Sequence, residues 1–196
     1  TINHFMERFK DYHPVIIDCN DSTSRKGNFT SGLRRQLELH NIEYKVTNLK
    51  STEDAFYKSF STTKRNVVIL NTGRSQELGI AFSKLNGMKV KYPELEITMF
   101  GYTDWLMYTS RYLENLYKFD TYIPSVFYYN PLSPATQRLQ QKYRRNFRAD
   151  MPSQLPRFAL TGFDHAYFFL RGLHKYGKTF NGAAGMFGLA DRKSVV

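Results

Sequence analysis

One cysteine, Cys19, is all the chain of 196 residues contains, so no internal disulfide can form. The fold must rest on burial and backbone hydrogen bonds. An oxidising compartment is not excluded, and a lone cysteine at a strand end reads as a small packed residue rather than a nucleophile. No window approaches the roughly 18 apolar residues of a membrane-spanning helix, so no transmembrane segment is expected. The loop after the first apolar run carries only Gly27 and Gly32 where a dinucleotide fingerprint needs three closely spaced glycines. Neither a phosphate-binding P-loop nor a Gly-x-Ser-x-Gly elbow occurs. His4, His13, His40, His165 and His174 show no zinc-ligand spacing. Asp18, Asp21 and Asp104 at strand ends could mimic a receiver-like acidic cluster. The acceptor position at the end of the third strand is Asn71, which removes that chemistry. The expectation is a protein that is not an enzyme and needs no cofactor or metal.

Acidic residues are also scarce, 17 against 28 Lys and Arg, for a formal charge of +11. Such an excess suits anionic partners without choosing among them. No aromatic RNP motif or Cys/His finger is present, so nucleic acid is not the expected partner. The charge is densest at Arg138, Lys142, Arg144, Arg145 and Arg148. Leu139, Tyr143 and Phe147 recur there at i, i+4, which describes an amphipathic helix with a solvated basic face. An anionic envelope polymer is the alternative reading of that face. Aromatics reach 16% of residues, enough to supply both core area and interfaces.

What the chain does have is alternation. Apolar runs at Val15–Ile17, Tyr44–Val46, Val67–Leu70 and Glu96–Phe100 are separated by helix-like stretches. That order requires a parallel sheet with helices on its faces. The spacing predicts a short helix over Ile2–Lys10, then a strand opened by Pro14. A polar loop from Asp18 to Gly27 precedes a helix with Phe29, Leu33 and Leu37 on one face. The second strand is placed at Glu43–Thr47. Ser51-Thr52-Glu53-Asp54 reads as a capping box, with Phe56 and Phe60 on the buried side of its helix. Four consecutive apolar residues in Asn66–Leu70 describe a strand buried on both faces. Ser75 is expected to cap a helix carrying Leu78, Phe82 and Leu85. The fourth strand, Glu96–Phe100, exits into Gly101–Trp105, and a weaker helix runs from Leu106 to Tyr117. Tyr122–Tyr129 is strand-like but contains Pro124, so an edge strand or an irregular one is expected. Ser133-Pro134 supplies N-cap and N1 of the basic helix. Thr161-Gly162-Phe163-Asp164 reads as a second capping box, opening a helix with Phe163, Ala166, Tyr167, Leu170 and Leu173 inward and Gly177 at its end.

Four segments resemble the type I periplasmic-binding-protein family, which includes branched-chain amino-acid receptors. Val15 to Gly27 resembles the first strand of one lobe with its acidic-polar loop. Asn66 to Gly73 resembles the central strand and its ligand-side turn, and Ile97 to Trp105 the next strand. Tyr143 to Lys175 resembles the closing part, where the family often has a Tyr-Asp-Ala run and this sequence has Phe163-Asp164 with Ala166 and Tyr167. The likeness spans about residues 5 to 176. Its texture is also similar to envelope proteins of gut bacteria that carry LysM peptidoglycan-binding repeats, although no LysM repeat is present in this chain.

The resemblance implies an α/β, parallel-sheet three-layer sandwich, Rossmann-like, with strand order 2-1-3-4-5. It would be one lobe of a type I periplasmic binding fold plus part of the hinge and second lobe. Residues 1–120 would form the lobe and 121–182 the hinge strand and closing helices. The tail, 183–196, is expected to be disordered or artefactual, since Asp191 to Val196 matches one reading frame of a sequencing adapter. The implied function is binding of a small, amino-acid-like solute in the periplasm or cell envelope, with the second lobe contributed by upstream sequence. A scaffold that keeps the fold, lacks a ligand and acts in protein or peptidoglycan interaction is the alternative. Carried over by position, the ligand contacts are Ser22, Thr23, Asn71, Thr72, Gly73, Arg74, Tyr102, Asp104 and Trp105. Asp104 would pair with an ammonium and Arg74 with a carboxylate. The alternatives are that Asp104 caps the following helix and that Arg74 is solvated.

Overall fold

The structure, a computed structural model, describes residues 1–21, 23, 26–125, 133–152 and 158–182. The chain divides into two compact units, Thr1–Ser125 and Val126–Val196.

In the first unit, four strands form one all-parallel sheet: β1 (His13–Asp18), β2 (Lys45–Asn48), β3 (Asn66–Leu70) and β4 (Ile97–Phe100). Their order is β2-β1-β3-β4. Register places Ile16 opposite both Val46 and Ile69, and Ile69 opposite Phe100. The helices are α1 (Ile2–Arg8), α2 (Lys26–Leu39), α3 (Glu53–Tyr57), α4 (Ser75–Lys91) and α5 (Thr109–Lys118).

The period-2 geometry of a strand sends alternate side chains to opposite faces. Val15, Ile17, Val68, Leu70 and Met99 therefore face one way, against Phe56 of α3, Leu78, Phe82 and Leu85 of α4, and Leu116 of α5. Ile16, Val67, Ile69 and Phe100 face the other way, against Phe5 of α1, Phe9 at its C-terminal end, and Leu33 and Leu37 of α2. Helices thus cover both faces. Every residue of β3 is buried, as its unbroken apolar run requires. Val67, Val68, Ile69 and Leu70 each contribute roughly 1.5–3 kcal/mol through burial.

Several expectations need correction. The sheet has four strands among the described residues, not five. The fifth position is held by a single parallel bridge, Phe100 to Tyr122, flanked by Gly101 N–H donating to the Tyr122 carbonyl at 2.8 Å. Pro124, two residues on, cannot donate to a ladder. The rest of the expected strand, from 126 on, lies outside the described residues. The N-cap of α3 is Thr52 rather than Ser51; its hydroxyl accepts from the Ala55 N–H at 3.4 Å. The N-cap of α4 is Arg74, with Ser75 inside the helix, and the Thr72 hydroxyl accepts the Arg74 N–H at 3.1 Å.

In the second unit, α6 (Pro134–Phe147) starts with Pro134 in its first turn, after Ser133, whose side chain makes no cap bond. α7 (Phe158–Tyr176) begins before Thr161. Thr161 and Asp164 therefore lie within the helix and form no capping box. The face carrying Phe163, Ala166, Tyr167, Leu170 and Leu173 is exposed rather than inward. Periodicity marks an apolar stripe but does not supply its partner. Gly177, at φ +53, ends α7 as expected. No helix among the described residues is long and apolar enough to cross a membrane.

Candidate functional site

The strand order fixes where polar loops converge. β1 and β3 are neighbours, yet the helix after β1 packs on one face and the helix after β3 on the other. Loops leaving adjacent strands in opposite directions open a crevice at the carboxyl edge, the position where open α/β sheets take ligands.

The residues there form one hydrogen-bonded cluster. Asn71 bridges the two loops: its Nδ2 donates to Asp18 Oδ1 at 2.9 Å, and its Oδ1 accepts the Cys19 N–H at 2.8 Å. Thr72 donates to Asp21 Oδ2 at 2.8 Å. Asp21 Oδ1 accepts from the Thr23 hydroxyl at 2.6 Å and from the Thr23 N–H at 3.1 Å. Its carboxylate is 1% exposed. The hydroxyls of Thr23 and Thr72 hold the carboxyl below its ordinary pKa, since both bonds favour the charged form. Arg74 Nη1 lies 3.8 Å from Asp21 Oδ1, and Arg74 Nε lies 3.4 Å from Glu77 Oε2. The Glu77 contact is an ion pair without hydrogen-bond geometry. About half of the Arg74 side chain, 53%, remains exposed, so the guanidinium offers its outer edge to solvent.

The loop after β4 joins from the other side. Lys26, at the start of α2, pairs with Asp104 Oδ2 at 2.6 Å and sits 4.9 Å from the Tyr102 ring centroid. Gly73 is packed against this pair. A Cβ there would meet Asp104 Cγ at 3.1 Å and Lys26 Cε at 3.3 Å. Tyr102 donates its hydroxyl to the Leu70 carbonyl at 2.6 Å and is buried, which raises its pKa. Trp105 is fully buried. Its ring lies so close over Gly101 that only glycine fits beneath it. These two aromatics fasten the β4 exit to the sheet, and Trp105 presents no ring face to solvent.

The structure therefore brings Thr23, Asn71, Thr72, Gly73, Arg74, Tyr102 and Asp104 to one sheet edge, with Trp105 packed beneath. Ser22 lies outside the described residues. Asp18, Asp21 and Lys26 were not among the expected ligand residues. Asp18 and Asp21 were visible as acidic residues at a strand end and Lys26 as part of a polar loop closing on Gly27, but the pairing of Lys26 with Asp104 needs the fold. Cys19 is buried, and burial raises its thiol to about 12, which leaves it protonated and inert. Among the described residues no group of three or more His, Cys, Asp or Glu side chains is placed to hold a metal. A cavity of about 240 Å³ lies elsewhere, between α3 and the distal half of α4. Comparison of the chain with family models, with curated proteins and with solved structures gives no match.

Proposed function

We propose that the chain is a solute-binding lobe that takes a small, amino-acid-like ligand at the carboxyl edge of its sheet, without catalysis, as the receptor component of an uptake or sensing system in a bacterial envelope. On this reading the sheet is one lobe of a type I periplasmic binding fold. The observation that carries the reading is the cross-loop cluster. Asn71 and Thr72 lock the β1 and β3 exits together and leave the Arg74 guanidinium half exposed at the rim. A guanidinium that lies near two carboxylates without hydrogen-bonding either closely keeps donors of its planar fork for a ligand carboxylate. Asp104, 44% exposed, offers a carboxylate to a ligand ammonium, which would then compete with Lys26.

The test is calorimetric titration of the chain with L-leucine, L-glutamate and L-lysine. Saturable binding of at least one, weakened tenfold or more by Arg74→Ala and by Asp104→Ala, supports the reading. No heat with any of the three, or unchanged affinity in both variants, removes this edge as the site.

A second reading has its own observation. Arg138, Lys142, Arg144, Arg145 and Arg148 on and just after α6 are all exposed, which suits a scaffold bound to an anionic envelope polymer. Co-sedimentation with peptidoglycan sacculi that is lost when these five are neutralised would favour it. A solute-binding lobe predicts no such loss.

A further inference from the structure

The cavity between α3 and α4 is separate from the sheet edge. Gly87 in its wall lies 12 residues after the start of α4, about 18 Å along the axis at 1.5 Å per residue. Its floor is apolar, with Phe56 and Met88 both buried. Tyr57 and Tyr92 close one side as a stacked pair, centroids 3.8 Å apart. The rim is cationic. Lys84 Nζ donates to the carbonyls of Leu49 at 2.8 Å and Ser51 at 2.6 Å, and it lies 4.7 Å from the Phe56 ring centroid. An ammonium has three donors, so two bonds to carbonyls hold it in place and leave one donor for a further acceptor. Lys91 stands over the Tyr92 ring at 5.5 Å. Glu53 is the opposing carboxylate, so the lining carries two cations against one anion.

Gly87 supplies the second observation. Glycine inside a helix costs about 1 kcal/mol relative to alanine. Gly79 of the same helix has a packing reason, since a Cβ there would lie 2.6 Å from the Tyr112 hydroxyl. Gly87 has none: a Cβ there would meet nothing within 4 Å, and its φ is not in the left-handed region. What its missing side chain does is leave the cavity wall open.

We infer that this cavity is a binding site for a small aromatic carboxylate. The ring lies against the Tyr57–Tyr92 stack, above the floor of Phe56 and Met88, and the carboxylate meets Lys84 and Lys91. Apolar walls with a few convergent polar groups are the ordinary construction of a small-molecule site, and this volume suits a single ring rather than a larger ligand.

The probe is 4-fluorobenzoate, followed by fluorine NMR against the whole chain, with 4-fluorobenzylamine as the charge-reversed control. A Cβ at Gly87 would meet nothing within 4 Å and leucine raises helix propensity, so Gly87→Leu projects its side chain into the cavity from a helix it favours, and its melting temperature reports the fold. The expected result is saturable binding of the acid, at least tenfold weaker binding of the amine, and at least tenfold loss of acid binding in Gly87→Leu with an unchanged or higher melting temperature. Arg74→Ala leaves this binding unchanged, which separates it from the sheet-edge site. Absence of saturable binding, equal affinity for the amine, or unaltered binding in Gly87→Leu would each overturn the inference.

Discussion

The same substitution, glycine to alanine, is expected to move stability in opposite directions at two positions of the first unit. At Gly101 an added Cβ would lie 2.5 Å from Trp105 Cζ3 and closer still to Cε3. Carbon atoms in contact sit about 3.5–4.0 Å apart, so the ring or the backbone must yield by roughly 1 Å or more. Trp105 has nowhere to go, because it is fully buried against Tyr102 and the core. Overpacking of this kind costs about 1–3 kcal/mol. Three ring atoms at 3.0 Å or less place the cost in the upper half of that range; the stiffer unfolded chain returns about 0.4–1 kcal/mol, leaving a net loss of roughly 1–2.5 kcal/mol. At Gly87 there is no clash, and the helix gains about 0.8–1 kcal/mol. Urea unfolding monitored by far-UV circular dichroism reads both. With a slope of about 1–3 kcal/mol/M, the two midpoints should separate by roughly 1 M, wild type between them. A Gly101→Ala midpoint at or above wild type would refute the packing of Trp105 over the β4 exit. A Gly87→Ala midpoint below wild type would refute the open wall of α4.

Other outcomes follow from the same geometry. Asp21 has a folded pKa held below its unfolded value of about 3.9, so its contribution is complete above that value and is lost as pH falls through the folded one. Acid unfolding of Asp21→Asn should therefore show a shallower loss of stability below about pH 4 than wild type, and identical slopes would dismiss the Thr23 and Thr72 bonds as its cause. Cys19 should resist thiol reagents in mildly alkaline buffer and react fully in denaturant; rapid native labelling would contradict its burial. Leu70→Ala, in the fully buried central strand, should cost about 2–5 kcal/mol in the same urea assay. Lys26→Met breaks a partly exposed pair and should cost under about 1 kcal/mol; a larger loss would mean that Lys26 and Asp104 anchor the β4 loop.

The sheet was legible because its signals are local. Four apolar residues in a row at Val67–Leu70 admit a central strand, and the helix faces of Leu33, Leu37, Leu78, Phe82 and Leu85 follow from a 3.6-residue period. The fifth segment was legible only in part: Tyr122 bridges Phe100 at the sheet edge, Pro124 cannot extend the ladder, and residues 126–129 lie outside the described residues. Thr161 with Asp164 has the spacing of a cap, yet the same pair fits a helix interior once Phe158 starts the helix earlier. At the sheet edge, Asn71 to Arg74 and Thr23 were legible as polar residues at strand exits. The Lys26–Asp104 pair and the buried Trp105 depend on loops distant in sequence. The α3–α4 cavity was invisible for a similar reason: Tyr57 and Tyr92 meet only after two helices pack on the same face.

Nitrogen-15 amide NMR of the whole chain, during titration with the amino acids used for calorimetry, tests most directly whether the β1 and β3 exits form a ligand site. Saturable shifts are expected at Thr23, Thr72, Gly73 and Arg74, with none beyond background at Gly87 and Tyr92. Spectra unchanged at those four amides at saturating ligand, or shifts confined to α3 and α4, would contradict it.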